Sequence, residues 1–213
     1  MKLQELYALK NGREQQVSRI NEGLVPANTL GELCHMEFQN GGFDVHYLVL
    51  KPANFTPERK YPAVFYIHGG AKVIFGPVFH HEIQMLSSNG YFVIYGDPRG
   101  SDGRGTKFAR LKGHYGEADY DDMMKAVDTA LERFPEIDAG RVACVGGSYG
   151  GLTTNMIITR THRFKCAIAL RSISNLISNF SATDNGINFV ADQMEATPWV
   201  NYDGLWDVSP LKY

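Results

Sequence analysis

The 213-residue sequence has few cysteines, little net charge and no long apolar run, and each of these features excludes a class of protein. Its three cysteines are an odd number without the spacing of a metal site. A net charge of −2 gives no electrostatic reason to expect binding to nucleic acid or to an anionic membrane. No apolar run approaches the roughly 18 residues of a membrane span, and the first residues lack the apolar segment of a signal peptide.

What the sequence does contain is enough apolar material for a folded domain. Hydrophobic residues make up 44% of it and aromatic residues 12%, which suits one domain with a sizeable core. Cys144 and Cys166 lie within apolar runs, so we expect buried free thiols in strands. With Cys34 they fit a reducing compartment, which predicts a cytoplasmic protein.

Two hairpin patterns open the sequence. Residues 1–25 contain two short strand patterns around the turn signal Asn11-Gly12, and residues 32–38 and 43–50 flank a second glycine-rich turn. A lone hairpin is marginally stable in water. The first hairpin is therefore expected to belong to something larger.

Buried strands that alternate with helices follow these hairpins. Continuous apolar runs predict strands at 63–67, 91–95, 141–145 and 164–170. Apolar residues at helical spacing predict helices at 80–89, 119–134 and 148–160. Residues 96–105 are rich in Gly, Asp and Arg and predict a loop, and the tail 174–213 predicts short helices. This alternation indicates an α/β fold with a mostly parallel sheet flanked by helices.

The first turn of the helix at 119–134 is acidic. Asp119, Asp121 and Asp122 lie there, where the positive end of the helix dipole favours carboxylates. Stabilisation of the helix start is therefore a sufficient explanation for these three aspartates.

The motif that carries chemistry is a G-x-S-x-G centred on Ser148. A predicted buried strand runs into it and an amphipathic helix leaves it, which is the setting of a nucleophile elbow. Gly146 and Gly150 leave room for the strand and helix to approach closely. No Lys-Ser or Lys-Thr pair follows, so the glycines do not indicate a phosphate-binding loop. We expect Ser148 to be a catalytic nucleophile.

An oxyanion hole needs backbone donors near that serine. In the fold that carries this elbow, one donor is the N–H of the residue after the nucleophile, here Tyr149, and the other comes from the loop after an earlier strand. His68-Gly69-Gly70 ends such a strand, and we expect the N–H of Gly70 to be the second donor. His68 itself is expected to be structural, because the catalytic histidine follows the serine in this fold.

Several segments together resemble the peptidase domain of the prolyl oligopeptidase family, particularly its acylaminoacyl-peptidase-like branch. The matching segments are Tyr-Ile-His-Gly-Gly at 66–70, Asp-Pro-Arg-Gly-Ser-Asp-Gly-Arg-Gly at 97–105, 137–151 around the elbow, Ala-Thr-Pro-Trp at 196–199 and Ser-Pro-Leu at 209–211. The resemblance implies an α/β-hydrolase fold, no cofactor or metal, and hydrolysis of short or N-acylated peptides through an acyl-enzyme.

The resemblance also implies a division of the chain. Residues 1–27 are similar to the closing hairpin of the β-propeller that precedes the peptidase domain in this family, and 28–213 to part of the peptidase domain itself. One departure is mild: Ala71 stands where the family often has proline. The larger departure is that the family's catalytic aspartate and histidine follow strands expected after Tyr213. We therefore expect a partial domain that lacks its last strands.

The sequence contains no residue that we expect to replace the catalytic histidine or aspartate. His162 is the only histidine after Ser148, and it lies in a loop predicted at the opposite end of the sheet. The later aspartates do not follow buried strands; they are Asp184, Asp192, Asp203 and Asp207. His80 and His81 are adjacent and point to different faces, so they do not predict a metal site. The 213 residues alone are expected to be nearly inactive.

Three functions remain open at this point. The first is a serine peptidase, the second a carboxylesterase-like hydrolase on the same fold, and the third a non-catalytic interaction module. The N-terminal hairpin favours the first, because a simple esterase has no propeller to supply it. A sheet without its last strands would also expose an edge, so we expect a homo-oligomer or a complementing C-terminal segment as partner, besides a peptide substrate.

Overall fold

A computed structural model describes residues 3–24 and 30–213, which form a short hairpin and a larger six-stranded sheet. The hairpin pairs β1 (Tyr7–Lys10) with β2 (Arg13–Gln16) in antiparallel fashion. Its turn residues Asn11 and Gly12 have φ values of 52° and 72°. Two consecutive positive φ angles are what a two-residue type I′ turn requires, so the predicted hairpin is confirmed.

The larger sheet mixes antiparallel and parallel pairs. Its strands are β3 (Leu33–Asn40), β4 (Phe43–Leu50), β5 (Tyr61–Ile67), β6 (Phe92–Asp97), β7 (Ile137–Gly147) and β8 (Cys166–Leu170). The strand order is β3-β4-β6-β5-β7-β8. Strands β3, β4 and β6 pair antiparallel, whereas β6, β5, β7 and β8 all run parallel. The carboxyl ends of β5, β6 and β7 therefore meet at one edge.

Helices connect the parallel strands and cover the sheet. They are α1 (His81–Ser88), α2 (Thr106–Ala109), α3 (Ala118–Arg133), α4 (Tyr149–Arg160), α5 (Leu176–Ala182), α6 (Gly186–Gln193) and α7 (Tyr202–Asp207), followed by a 3₁₀ turn at Pro210–Lys212. The predicted helices at 80–89, 119–134 and 148–160 correspond to α1, α3 and α4. The predicted α/β architecture is confirmed.

The two faces of the sheet bury two apolar clusters. Along β4, Tyr47 and Val49 point into the larger cluster, which α3 and α4 cover, while Leu48 and Leu50 point into the smaller one, which α1 covers. Successive strand residues face opposite sides, so burial on both faces needs an almost continuous apolar sequence. This is why the strand runs are easy to recognise in the sequence.

One predicted boundary was wrong. The segment 96–105 was expected to be loop, but β6 continues through Gly96 and Asp97, which pair with Tyr47 and His46 of β4. A β-carbon at Gly96 would lie 2.7 Å from the Tyr47 Cα, so the glycine is a point of close strand approach rather than the start of a turn. The short helix α2 was not predicted.

Strand β8 is much more exposed than its apolar sequence indicates. Within residues 3–24 and 30–213 it pairs only with β7, and Ile168 is 49% exposed. Cys166 is exposed, so the prediction of a buried thiol there was wrong, while Cys144 on the central strand β7 is buried as predicted. Cys34 is half-buried, and all three thiols are free. An edge strand has only one neighbouring strand to cover it.

A search of the described residues for membrane-spanning helices finds none that is both long and apolar enough.

Candidate active site

Ser148 stands at a sharp turn between β7 and α4, at the carboxyl edge of the parallel strands. Its backbone has φ 59° and ψ −118°, a conformation that a residue with a side chain rarely adopts. The Ser148 N–H donates to the Leu170 carbonyl at 3.0 Å, and its own carbonyl accepts from the Leu152 N–H at 2.9 Å. The strained residue is thus held from both sides.

The glycines on either side of Ser148 lie where no side chain fits. A β-carbon at Gly146 would be 2.3 Å from the Gly150 carbonyl oxygen, and one at Gly150 would be 2.4 Å from the Ile67 carbonyl oxygen. Both obstacles are backbone atoms, which cannot move aside as a flexible side chain could. The close crossing of β5, β7 and α4 therefore depends on glycine at 146 and 150.

The loop after β5 brings the second set of predicted residues beside Ser148. A β-carbon at Gly69 would lie 3.4 Å from the Ser148 Cβ and 3.2 Å from the Gly147 carbonyl oxygen. The next residue, Gly70, has φ 112°, which favours glycine. Tyr149 is the first residue of α4, so its N–H has no acceptor within the helix. The structure thus places Gly69 against Ser148, with Gly70 and Tyr149 as their respective neighbours in the chain.

The Tyr149 side chain points into the core. Its hydroxyl donates to Asp119 Oδ2 at 2.7 Å, and its ring packs edge to face on Tyr115 with ring centroids 5.4 Å apart. Burial raises the pKa of the Asp119 carboxyl, and the Tyr149 hydrogen bond opposes that rise. Burial, followed by the nearby Asp119, raises the pKa of Tyr149 well above its ordinary value. Asp119 thus anchors the residue that follows Ser148.

Sequence reasoning missed this role for Asp119. It also missed that of Asp122, whose carboxylate accepts from the Arg99 guanidinium at 2.7 and 2.8 Å and from Asn40 Nδ2 at 2.6 Å. Both aspartates are fully buried. The usable signal was the arginine in the segment 97–105, since a buried carboxylate requires a partner of this kind.

No base is placed against Ser148 in the described part of the chain. The Ser148 Oγ has no hydrogen-bond partner there. His162 is exposed and lies between α4 and β8, at the end of the sheet opposite Ser148. Among the later aspartates, Asp192 pairs with Lys112 and Asp207 with Lys212. The described residues therefore place no proton acceptor beside the Ser148 hydroxyl.

The His80-His81-Glu82 segment has apolar and phenolic neighbours instead of a ligand set. The His80 ring packs on Phe75 with centroids 5.2 Å apart, and Glu82 accepts a hydrogen bond from the Tyr66 hydroxyl. Within residues 3–24 and 30–213, no three His, Cys, Asp or Glu side chains lie close enough together to hold a metal ion.

A cleft of about 600 Å³ opens beside the Gly70 loop. Ala71, Leu111 and Tyr115 supply apolar parts of its lining, and Lys72 and Glu195 supply charges of opposite sign. Ala71 follows Gly70 directly in the chain, so the cleft adjoins the loop that packs on Ser148, although Ser148 itself does not line it.

Comparisons with known proteins identify a family. Residues 77–213 match the model of the prolyl oligopeptidase family. The chain is 41% identical over 212 residues to the uncharacterized peptidase YuxL of Bacillus subtilis, covering 98% of this chain and 32% of that protein. It is 32% identical over 180 residues to dipeptidyl peptidase 8 of Mus musculus, covering 77% of this chain and 20% of that one.

A solved structure shows the same fold. The acylaminoacyl peptidase of Pyrococcus horikoshii superposes with a TM-score of 0.91 at 30% identity, over 98% of this chain and 34% of that one. The chain therefore spans about a third of the length of YuxL and of the Pyrococcus peptidase, and a fifth of the length of dipeptidyl peptidase 8.

Proposed function

Because the chain belongs to the prolyl oligopeptidase family, we propose that it supplies the nucleophile part of a serine peptidase that hydrolyses short or N-acylated peptides. The observation that carries the proposal is the backbone of Ser148, held at positive φ between a buried parallel strand and a helix. Such strain persists where the surrounding structure imposes it, and it clusters at active sites. The relatives are peptidases, one of them an acylaminoacyl peptidase.

In the proposed reaction the Ser148 Oγ attacks the carbonyl carbon of the scissile bond while a base accepts its proton. The backbone N–H groups of Gly70 and Tyr149 stabilise the negative charge that develops on the carbonyl oxygen. The tetrahedral intermediate then breaks the C–N bond, and the base returns the proton to the departing amine. Water attacks the resulting ester in the same way, which releases the acid and restores Ser148.

The base and the acid that orients it are proposed to come from outside these 213 residues. Two observations support this. Within the described residues the Ser148 hydroxyl has no hydrogen-bond partner, and the nearby His68 is already hydrogen-bonded to Ser101. A serine hydroxyl is a weak nucleophile without a base. We expect a C-terminal segment of the longer protein to supply both groups, packed beside β8.

The two-part division is also a proposal. Residues 28–213 would belong to the peptidase domain and 1–27 would close a propeller-like domain. In support, β1 and β2 form their own sheet, and Glu5 ties its ends together by accepting from the N–H groups of Ile20 and Asn21. The proposed boundary at 27/28 lies outside the described residues. The three free thiols support a cytoplasmic location.

The test uses the longest natural protein that contains this chain. A fluorophosphonate probe should label the wild type on one serine, and mass spectrometry should place the label on Ser148. The Ser148→Ala variant should lose the label and lower hydrolysis of an acetyl-peptide p-nitroanilide to less than about a thousandth. A folded wild type whose Ser148 stays unlabelled overturns the proposal, and turnover of p-nitrophenyl esters without peptides would favour the carboxylesterase alternative.

A further inference from the structure

A second serine, histidine and aspartate meet directly behind the candidate active site. His68 Nε2 lies 3.0 Å from the Ser101 Oγ and 3.8 Å from the Asp97 Oδ1. His68 follows β5, Asp97 ends β6, and Ser101 lies in the loop beyond it. The relative exposures are 4% for His68, 5% for Asp97 and 0% for Ser101. Since no substrate can reach a fully buried hydroxyl, this group is not a second nucleophilic site.

The contacts of His68 determine which of its nitrogens carries the proton. Nδ1 lies 2.7 Å from the Gly69 carbonyl oxygen, which can only accept, so Nδ1 must bear the hydrogen. Burial lowers the pKa of His68, which keeps the ring neutral. Nε2 is then an acceptor and takes the Ser101 hydroxyl proton. The Gly69 carbonyl therefore sets the tautomer, and the Ser101 hydroxyl, by donating to Nε2, holds the ring in the orientation that donates toward Gly69.

The same group fastens the rest of the loop that follows β5. The Phe75 N–H donates to Asp97 Oδ1 at 2.7 Å, and the Asp102 N–H donates to the Val73 carbonyl at 3.1 Å. His68 holds the start of the loop, and the segment 97–102 holds its far end. Gly70 lies between these points with φ 112°, a conformation that glycine does not maintain unaided.

We propose that His68, Ser101 and Asp97 are positioning residues that hold the 69–75 loop so that the Gly70 N–H faces the oxyanion formed on attack by Ser148. The inference rests on the proposed function, because it assigns the group a role in that reaction. None of the three side chains touches substrate. They act through the backbone, by fixing where one donor stands before the substrate arrives.

Two substitutions at position 68 test the proposal, because they differ in whether the side chain can donate a hydrogen bond to Gly69. Asparagine at 68 places an amide N–H near the Nδ1 position and can still donate to Gly69, whereas alanine cannot. We expect His68→Ala to lower kcat by about 10²–10³-fold with KM changed less than about threefold, since an oxyanion donor acts mainly in the transition state. His68→Asn should restore kcat to within about tenfold of wild type, and Ser101→Ala should lie between the two.

Control measurements separate positioning from loss of fold. All variants are made in the longest natural protein, and each must keep the wild-type melting profile. His162→Ala removes an exposed histidine far from the site and should keep wild-type kcat. Hydrogen–deuterium exchange of peptides covering 68–75 should be faster in Ser101→Ala and His68→Ala than in wild type, which reports on the loop without catalysis.

The outcomes distinguish this inference from the function on which it rests. Unchanged kcat and unchanged exchange in folded His68→Ala overturn the positioning role and leave the peptidase assignment standing. Equal losses in His68→Ala and His68→Asn also overturn it, because the amide should replace the donor to Gly69. Wild-type protein that is neither labelled at Ser148 nor active on peptides overturns the proposed function, and the inference with it.

Discussion

Three aspartates show how far the environment of a single residue can depart from its sequence context. Asp119 lies in the first turn of α3 and Asp122 follows that turn directly, so their position alone suggests favourable placement near the positive end of a helix dipole. In the structure both are buried, one bonded to Tyr149 and the other to Arg99. Asp97 is buried as well, and it serves the loop that carries Gly70. Each carboxylate positions a segment of the candidate site.

The buried Asp97 carboxyl predicts a specific pH dependence of stability. Burial raises the pKa of Asp97 from its ordinary 3.8 to about 6, opposed by the Phe75 N–H and by Arg104. The folded state then binds a proton up to about pH 6, whereas the unfolded state releases it near pH 4. This group therefore lowers the free energy of unfolding as the pH rises from 4 to 6, and its full cost is present above pH 6.

Asp97→Asn removes that titration. We expect the variant to be more stable than wild type at pH 7 by on the order of 2 kcal/mol, with the difference shrinking toward zero as the pH falls to 4. Urea unfolding followed by tryptophan fluorescence between pH 4 and 7.5 measures it. The exposed Asp184→Asn is the matched control and should track wild type. A constant difference at all pH values would contradict the assignment of the shift to Asp97.

At the scale of elements, the decisive feature is the crossing of α4 over the ends of β5 and β7. The Gly150→Ala substitution would place a β-carbon 2.4 Å from the Ile67 carbonyl oxygen, so helix and strand must separate. We expect a loss of about 1–3 kcal/mol in stability, as overpacking typically costs, and a markedly slower fluorophosphonate labelling of Ser148. Thermal unfolding and timed labelling measure the two effects.

Gly76→Ala is the matched control for this prediction. Its nearest atom would be 3.9 Å away, an ordinary contact, and Gly76 does not have the positive φ that favours glycine. It should change neither stability nor labelling beyond a few tenths of a kcal/mol. If Gly150→Ala behaved like this control, the close crossing would not be a requirement of the elbow.

At the scale of the whole molecule, β8 leaves an apolar edge. Its sequence is Cys-Ala-Ile-Ala-Leu, and in the part of the chain that the structure describes only β7 pairs with it. Unpaired apolar strands associate with other chains. The 213-residue chain by itself should therefore form dimers or larger species, measurable by light scattering over a range of concentrations.

A charge on that edge should reduce the association. Ile168→Lys places an ammonium on an exposed position of β8, as natural edge strands do, and should shift the distribution toward monomer. Lys212→Ala, on the exposed C-terminal turn, is the control and should associate like wild type. A monodisperse wild-type monomer at high concentration would contradict the idea of an exposed, association-prone edge.

The sequence by itself determined the strands, the main helices, the hairpin turn at Asn11-Gly12 and the strand–turn–helix setting of Ser148. These depend on local periodicity and on residues whose backbone freedom is distinctive, so short segments carry the information. The need for glycine at 146 belongs to the same class, because its obstacle is the backbone of Gly150, whereas the obstacle to a side chain at 150 is Ile67 on β5 and depends on the assembled sheet.

Only the tertiary structure decided the contacts between distant segments. Tyr149 meets Asp119 thirty residues away, and His68 meets Ser101 thirty-three residues away, through loops that no pattern pairs in advance. Exposure of Cys166 depends on which strands flank β8, not on its own apolar run. Burial and charge pairing are properties of the assembled sheet edge. For that reason the sequence predicts the strand–turn–helix setting of Ser148, while the structure shows what holds its surroundings in place.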